Sequence, residues 1–261
     1  MPAVNRDRFS RLVRRREALV VLGSASAGAI WQLQRSPAEI ARAVTSRANA
    51  VSGCVLTPQV TEGPYWIDNK LKRRDITEGR PGTPLRVQLL VENASTCKPI
   101  SGADVELWHA DAAGVYSGYS GGGTVGPGGT LGGPTGAAAG VGHASPTNKK
   151  RFLRGHQTSD TRGVVTFDTI YPGWYSGRTT HIHVKVHVAG TVYTGQLFFP
   201  ETTSDGVYKT VAYKRSGVRD TLNAADGIYT QAGRATSRLL LRKRSGKKGY
   251  LGTLTIGVKV A

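Results

Sequence analysis

Apolar and polar side chains alternate with a period of two along much of this chain. Leu85, Val87, Leu89 and Val91 alternate with Arg86, Gln88, Leu90 and Glu92, the pattern of a strand with one buried face, because successive strand side chains point to opposite sides. Similar runs at Ala103–His109, Val164–Asp168, His181–Val188, Val192–Phe199 and Leu251–Val260 predict further strands. Short strands separated by turn residues predict an all-β sandwich of mostly antiparallel strands with long loops. Helical signals are few. The best of them, Ser36-Pro37-Ala38-Glu39, has the form of a capping box with proline at the first helical position.

The ends of the chain follow other rules. Residues 1–47 carry nine arginines against Asp7, Glu17 and Glu39, and Arg14-Arg15-Arg16 precede an uncharged, Gly/Ala-rich run from Ala18 to Gln34. A basic segment before a weakly apolar one is the order of an export signal, and adjacent arginines give it a twin-arginine-like form. Residues 1–50 are therefore expected to be signal and spacer, with residues 51–261 as the folded domain, exported to the envelope or beyond. The membrane is expected to matter only if the signal stays uncleaved. Two cysteines, Cys54 and Cys97, suit an oxidising compartment, where they are expected to bond to each other. Closing that loop would remove unfolded-state entropy worth about 4 kcal/mol.

The net charge is +18, and a second basic cluster runs through Arg234, Arg238, Arg242, Lys243, Arg244, Lys247 and Lys248. No helix-turn-helix, zinc-finger or aromatic RNA-binding signature accompanies it, so no nucleic acid is expected as partner. A solvated basic face is the plainer reading, with contact to an anionic surface as the alternative. Homo-oligomerisation is left open by the sequence. The Gly-rich stretch from Gly118 to Gly142 has almost nothing to pack a core and lacks the Lys-Ser/Thr ending of a phosphate loop, so a long mobile surface loop is expected there.

Candidate chemistry concentrates between residues 105 and 196. His181 and His183 stand two apart in a strand pattern and so share one face; alone this is half of a metal site and equally a structural pair. Tyr175 lies six residues upstream, across the turn Pro172-Gly173-Trp174, and Arg178 three before His181. Lys185 and His187 continue the same face and offer a positive lining for an anionic oxygen ligand.

The segment Thr169-Ile170-Tyr171-Pro172-Gly173-Trp174-Tyr175-Ser176-Gly177-Arg178-Thr179-Thr180-His181-Ile182-His183 resembles the metal-binding stretch of the intradiol ring-cleavage dioxygenases, the superfamily of protocatechuate 3,4-dioxygenase and catechol 1,2-dioxygenase. Val105-Glu106-Leu107-Trp108-His109-Ala110-Asp111 with Gly114-Val115-Tyr116-Ser117 resembles its block carrying the first tyrosine ligand. Thr61-Glu62-Gly63-Pro64-Tyr65-Trp66 is similar to the loop by which substrate enters, and Thr194-Gly195-Gln196-Leu197-Phe198-Phe199 to the strand bearing the active-site glutamine. The likeness spans about residues 54 to 200 and is strongest to the exported, single-chain branch.

That resemblance implies Fe(III) as cofactor, with Tyr116, Tyr175, His181 and His183 as ligands. Tyr175 and His183 would be axial, Tyr116 and His181 equatorial. Phenolate oxygens are hard, anionic donors that favour the ferric state. It further implies Tyr175 as the base for a substrate proton, Arg178 as stabiliser of developing negative charge and Gln196 as an orienting group. Gly63, Pro64 and Tyr65, with Arg178, would line the substrate site. The implied reaction consumes a catechol-type substrate and O2 and yields a cis,cis-muconate-type diacid. The short Tyr175 to His181 interval and the Gly-rich insertion imply an open site for catechol, hydroxyquinol or substituted catechols. Trp108 and Trp174 read as packing walls, His109 and His156 as hydrogen-bonded structural histidines, and Tyr119 and Tyr171 fall outside the ligand positions. Two other functions fit parts of the pattern: a zinc-type metal-binding or hydrolytic protein using His181 and His183, and a non-enzymatic β-sandwich binding module.

Overall fold

A computed structural model describes residues 55–120, 143–214 and 218–260. The expected signal and spacer, the helix cap at Ser36 and Cys54 lie outside the described residues, as does most of the Gly-rich stretch. The strands are β1 (Pro84–Asn93), β2 (Asp104–Trp108), β3 (Arg154–Thr158), β4 (Val164–Ile170), β5 (His181–Val188), β6 (Thr191–Phe198), β7 (Leu240–Lys243) and β8 (Tyr250–Val258). Two short helices, α1 (Glu201–Tyr208) and α2 (Gly227–Gln231), lie between β6 and β7.

The strands form two four-stranded sheets, ordered β4-β1-β8-β7 and β3-β2-β5-β6. Every pairing is antiparallel except β1 with β8. This is the expected β-sandwich. The core lies between the sheets. Leu85, Val87, Leu89 and Val91 of β1 and Val165 and Phe167 of β4 meet Val105 and Leu107 of β2, Ile182, Val184 and Val186 of β5 and Leu197 of β6. Each such side chain, fully buried, contributes about 1.5–3 kcal/mol, and the period-two alternation exists because only one face of β1 reaches this layer.

β5 departs from simple alternation: His181, Ile182, His183 and Val184 are all buried. The even positions face the sandwich core. The odd ones project from the outer face, which is covered in turn by residues 61–69, 116–119 and 172–180. That second cover, centred on Ile67, Trp108, Tyr116, Tyr119 and Tyr175, makes the buried polar chamber described below.

Two strands were not marked by periodicity. β3, Arg-Gly-His-Gln-Thr, carries no apolar alternation, and β7 is a four-residue edge strand with mostly exposed side chains. Arg242 and Lys243 on β7 and Arg244, Lys247 and Lys248 in the turn to β8 make no salt bridge among the described residues. Charges of this kind on an edge strand discourage pairing with another chain. Cys97 sits after β1 with φ +56°, and no free thiol occurs among the described residues.

Candidate metal centre

The strand register sets out the site. Trp108 of β2 stands opposite His183 of β5, which stands opposite Gln196 of β6, so the three lie in one row across the outer face. His181 heads the next row, opposite Phe198. The two tyrosines come from outside the sheet. Tyr116 lies in the loop after β2, and Tyr175 in the turn before β5. Gly173 lets that turn dock on the loop: a Cβ there would meet the Asp111 carbonyl oxygen at 2.4 Å, and the Gly173 N–H donates to that oxygen at 3.0 Å.

Four donor atoms converge. Tyr116 Oη is 2.9 Å from His183 Nε2, 3.2 Å from His181 Nε2 and 3.5 Å from Tyr175 Oη. Tyr175 Oη is 3.1 Å from His181 Nε2, and the two Nε2 atoms are 3.2 Å apart. Only Tyr175 and His183 are not joined by such a contact. Four donors held about 2.0–2.1 Å from one ion would stand about 2.9–3.6 Å apart at angles of 90–120° and farther apart when opposite. The observed set could hold one metal ion.

Burial fixes the protonation states. Burial pushes the Tyr116 hydroxyl well above the ordinary tyrosine range, helped by the neighbouring Tyr175. It raises Tyr175 too, opposed by the positive charge of Arg178. Burial, and then Arg178, push His181 down to about 3. Burial and the neighbouring His181 take His183 well below the usual histidine value. The metal-free centre is thus two neutral phenols and two neutral imidazoles. His181 Nδ1–H donates to the Thr179 carbonyl at 2.7 Å, which leaves Nε2 unprotonated and aimed at the centre. His183 Nδ1 is buried without a hydrogen-bond partner. Its ring is held by stacking on Trp108 and by Gly63, φ +71°, where a Cβ would stand 3.3 Å from His183 Cε1.

Among the other expected site residues, Arg178 Nε donates to Asp226 Oδ2 at 2.9 Å and its Nη2 to Gln196 Oε1 at 2.6 Å. Gln196 Nε2 in turn donates to the Thr61 carbonyl at 3.0 Å. Tyr65, following Gly63 and Pro64, lies over Tyr116 with ring centroids 4.8 Å apart and edge-on to Tyr119. Lys185 does not line the centre. It pairs with Glu62 and lies 4.4 Å from the Trp66 ring centroid, while His187 faces His156. His109 bonds to the Ala110 carbonyl and Thr169 Oγ1, Tyr171 to Ser204, and Tyr119 to the Ala144 carbonyl.

Two residues that the sequence reading did not single out complete the surroundings. Asp226 is the counter-ion of Arg178. Arg154, fully buried on β3, donates from Nε to Ser117 Oγ and from Nη2 to the Ser117 carbonyl, both at 2.9 Å, and so holds the residue next to Tyr116. Burial pulls its guanidinium down to about 10.

Among the described residues no group of three or more His, Cys, Asp or Glu side chains could hold a metal. The His181–His183 pair is completed by phenols instead, which removes the usual zinc donor set. Comparison with family models and with curated proteins gave no match. Solved structures did. An intradiol ring-cleavage dioxygenase from Tetranychus urticae shares 35% identity, covering 79% of this chain and 95% of that chain with a TM-score of 0.67. The dioxygenase domain of a dioxygenase–carbohydrate-binding protein fusion from the cellulolytic bacterium Streptomyces sp. SirexAA-E shares 28%, covering 79% and 100%, with a TM-score of 0.55. Hydroxyquinol 1,2-dioxygenase from Pseudomonas putida, at 16% identity over 84% of this chain and 71% of that one, has a TM-score of 0.55 and is alike in fold. Identity of this extent over almost the whole of the Tetranychus urticae enzyme, on a sandwich with four converging donors, sets aside the non-enzymatic binding module: the chain belongs to the intradiol ring-cleavage dioxygenases, oxidoreductases that open aromatic rings.

Proposed function

We propose that Tyr116, Tyr175, His181 and His183 hold a single ferric ion, and that the protein uses it with O2 to open catechol-type rings to cis,cis-muconate-type diacids. The observation that carries this reading is the convergence of two phenol oxygens and two imidazole nitrogens, with every pair except Tyr175 and His183 within 2.9–3.5 Å. Two hard oxygens with two nitrogens suit iron(III) better than a softer or purely carboxylate-seeking ion. When bound, the ferric ion would supply charge transfer that makes a chelated catecholate reactive toward O2.

The chain's own residues supply the rest. Tyr175 is the most exposed of the four, at 9% against 1–3% for the others, and it sits on a turn where the histidines sit on a strand. It is therefore the donor best able to swing away and accept a substrate hydroxyl proton at Oη. Arg178, buried beside Tyr175, places a fixed positive charge where the ring gains negative charge. Gln196 holds that guanidinium and orients the substrate. Tyr65, behind Gly63 and Pro64, offers a flat aromatic wall to a flat ring.

The basic first segment and residues 1–50 support export by a twin-arginine-like signal, and a Cys54–Cys97 bridge accords with that route. The test is to purify the iron-loaded protein, record its visible absorbance and follow O2 uptake over catechol, hydroxyquinol and substituted catechols, with ultraviolet detection of the diacid. A tyrosinate-to-iron band with uptake on at least one substrate is expected. A colourless iron-loaded protein would overturn the ligand set.

A further inference from the structure

The turn from Tyr175 to Thr180 carries a proposed ligand and the proposed charge stabiliser and leads directly into His181, yet its own pairing is a single bridge between Tyr175 and Arg178. It is held from outside by residues 220–226. Asp220 accepts from Ser176 Oγ at 2.5 Å and from Gly177 N–H at 3.2 Å. Asn223 Oδ1 accepts from Thr179 Oγ1 at 2.7 Å. Asp226 Oδ2 accepts from Arg178 Nε at 2.9 Å and from Thr179 N–H at 3.0 Å. The other carboxylate oxygen, Oδ1, caps α2 by accepting from Ile228 N–H at 2.8 Å and Tyr229 N–H at 3.2 Å. The clamp is itself anchored, since Asn223 Nδ2 donates to the Phe199 carbonyl at 2.9 Å.

We infer that Asp226 is a positioning residue for ring cleavage, holding Arg178 against Gln196 and, through the Thr179 peptide, holding His181 in the orientation that presents Nε2 to the centre. One residue, Thr179, joins the two effects. Asp226 fixes the Thr179 N–H, and the Thr179 carbonyl accepts the His181 Nδ1–H at 2.7 Å. A carboxylate reaching a ligand histidine through one backbone residue orients it as a direct outer partner would. Asp226 is also a buried charge beside a buried guanidinium, so a neutral replacement leaves the fork of Arg178 without its counterpart. The inference rests on the reading of Arg178 and His181 proposed above.

Asp226→Asn is the test, because asparagine caps a helix as well as aspartate does and matches its shape while removing the charge. In the folded, iron-loaded variant kcat is expected to fall about 10–100-fold with KM within about threefold, the size of effect seen when an outer partner is lost. Iron release to a chelator is expected to quicken about tenfold. Arg178→Lys separates the two readings: it should lower kcat while leaving iron release near wild type. Wild-type kcat in Arg178→Lys overturns the role of Arg178. A slow Arg178→Lys beside an Asp226→Asn that matches wild type in both kcat and iron release overturns the positioning role of Asp226. If Asp226→Asn does not fold, Asp226→Glu, which keeps the charge and displaces it by one methylene, is read by the same two rates.

Discussion

The Trp108 indole lies flat against the His183 imidazole, with ring centroids 4.8 Å apart and planes 7° from parallel. The two residues face each other across the β2–β5 ladder, and the stack substitutes for the hydrogen bond that His183 Nδ1 lacks. Trp108→Leu keeps apolar bulk and removes the flat face. Iron affinity is expected to fall about tenfold, and stability by about 2–3 kcal/mol as the truncated site fails to close fully. Metal titration followed by visible absorbance checks this; unchanged affinity would mean that Gly63 and the strand alone orient the ring.

The loop that brings Tyr65 over Tyr116 is fastened by Glu106. That buried carboxylate accepts from Trp66 Nε1 at 3.0 Å and Asn69 Nδ2 at 3.1 Å, and burial raises its pKa despite those bonds. Glu106→Leu leaves Trp66 Nε1 without this partner and Asn69 Nδ2 with only the Ile67 carbonyl, at a cost of about 1–3 kcal/mol for each bond lost. Since the loop carries Tyr65, proposed to line the substrate site, and the proposed ligands stand on other elements, KM is expected to rise about tenfold while kcat changes little. Steady-state kinetics on the best substrate decide, and a fall in kcat at constant KM would place Glu106 nearer the chemistry.

Legibility in the sequence followed periodicity. The strands of the core declared themselves because Leu85, Val87, Leu89 and Val91 bury one face only, and the sandwich followed from their spacing. His181 and His183 could be placed on a shared face for the same reason. Tyr175 could be noted from its place six residues before His181, but its role as a ligand came from the resemblance, and Tyr116, in a loop whose reach depends on tertiary docking at Gly173, was brought to the site by the resemblance alone. Arg154 was hidden because β3 has polar side chains and a glycine, with no alternation to reveal burial. Asp226 was hidden by distance, 48 residues from Arg178, in a segment without regular pattern.

His109 gives the protein a pH-dependent stability term independent of the metal. It is buried, bonded to the Ala110 carbonyl and to Thr169 Oγ1, and burial lowers its pKa to about 4. The unfolded chain, with histidine near 6.5, binds the proton first as pH falls. Stability therefore declines from about pH 6.5 down to about pH 4 and levels below that, by about 3 kcal/mol for a shift of this size. Metal-free wild type and His109→Gln, compared by denaturant unfolding at pH 7 and pH 4.5, should differ in slope, the wild type losing more. Parallel pH dependence would mean that His109 titrates normally in the folded state.

The protonation states of the centre set how many protons leave when the metal enters. At pH 7 both imidazoles are already neutral, because His181 is held near 3 and His183 well below its ordinary value, so they surrender none. Both phenols are protonated, because burial raises them, and a ferric ion binds them only as phenolates. Loading the metal-free protein with iron(III), always from the same chelate, should therefore release one proton more from wild type than from Tyr116→Phe or from Tyr175→Phe, and two more than from the double variant. His181→Ala should leave the count unchanged while weakening binding. A pH-stat titration reads these differences directly, with the chelate's own protons cancelling between variants. Because a water that takes the place of a lost phenolate can ionise on the ion, equal release from wild type and the double phenylalanine variant together with an unchanged visible absorbance would show that the tyrosines do not ligate it, whatever activity the protein displays.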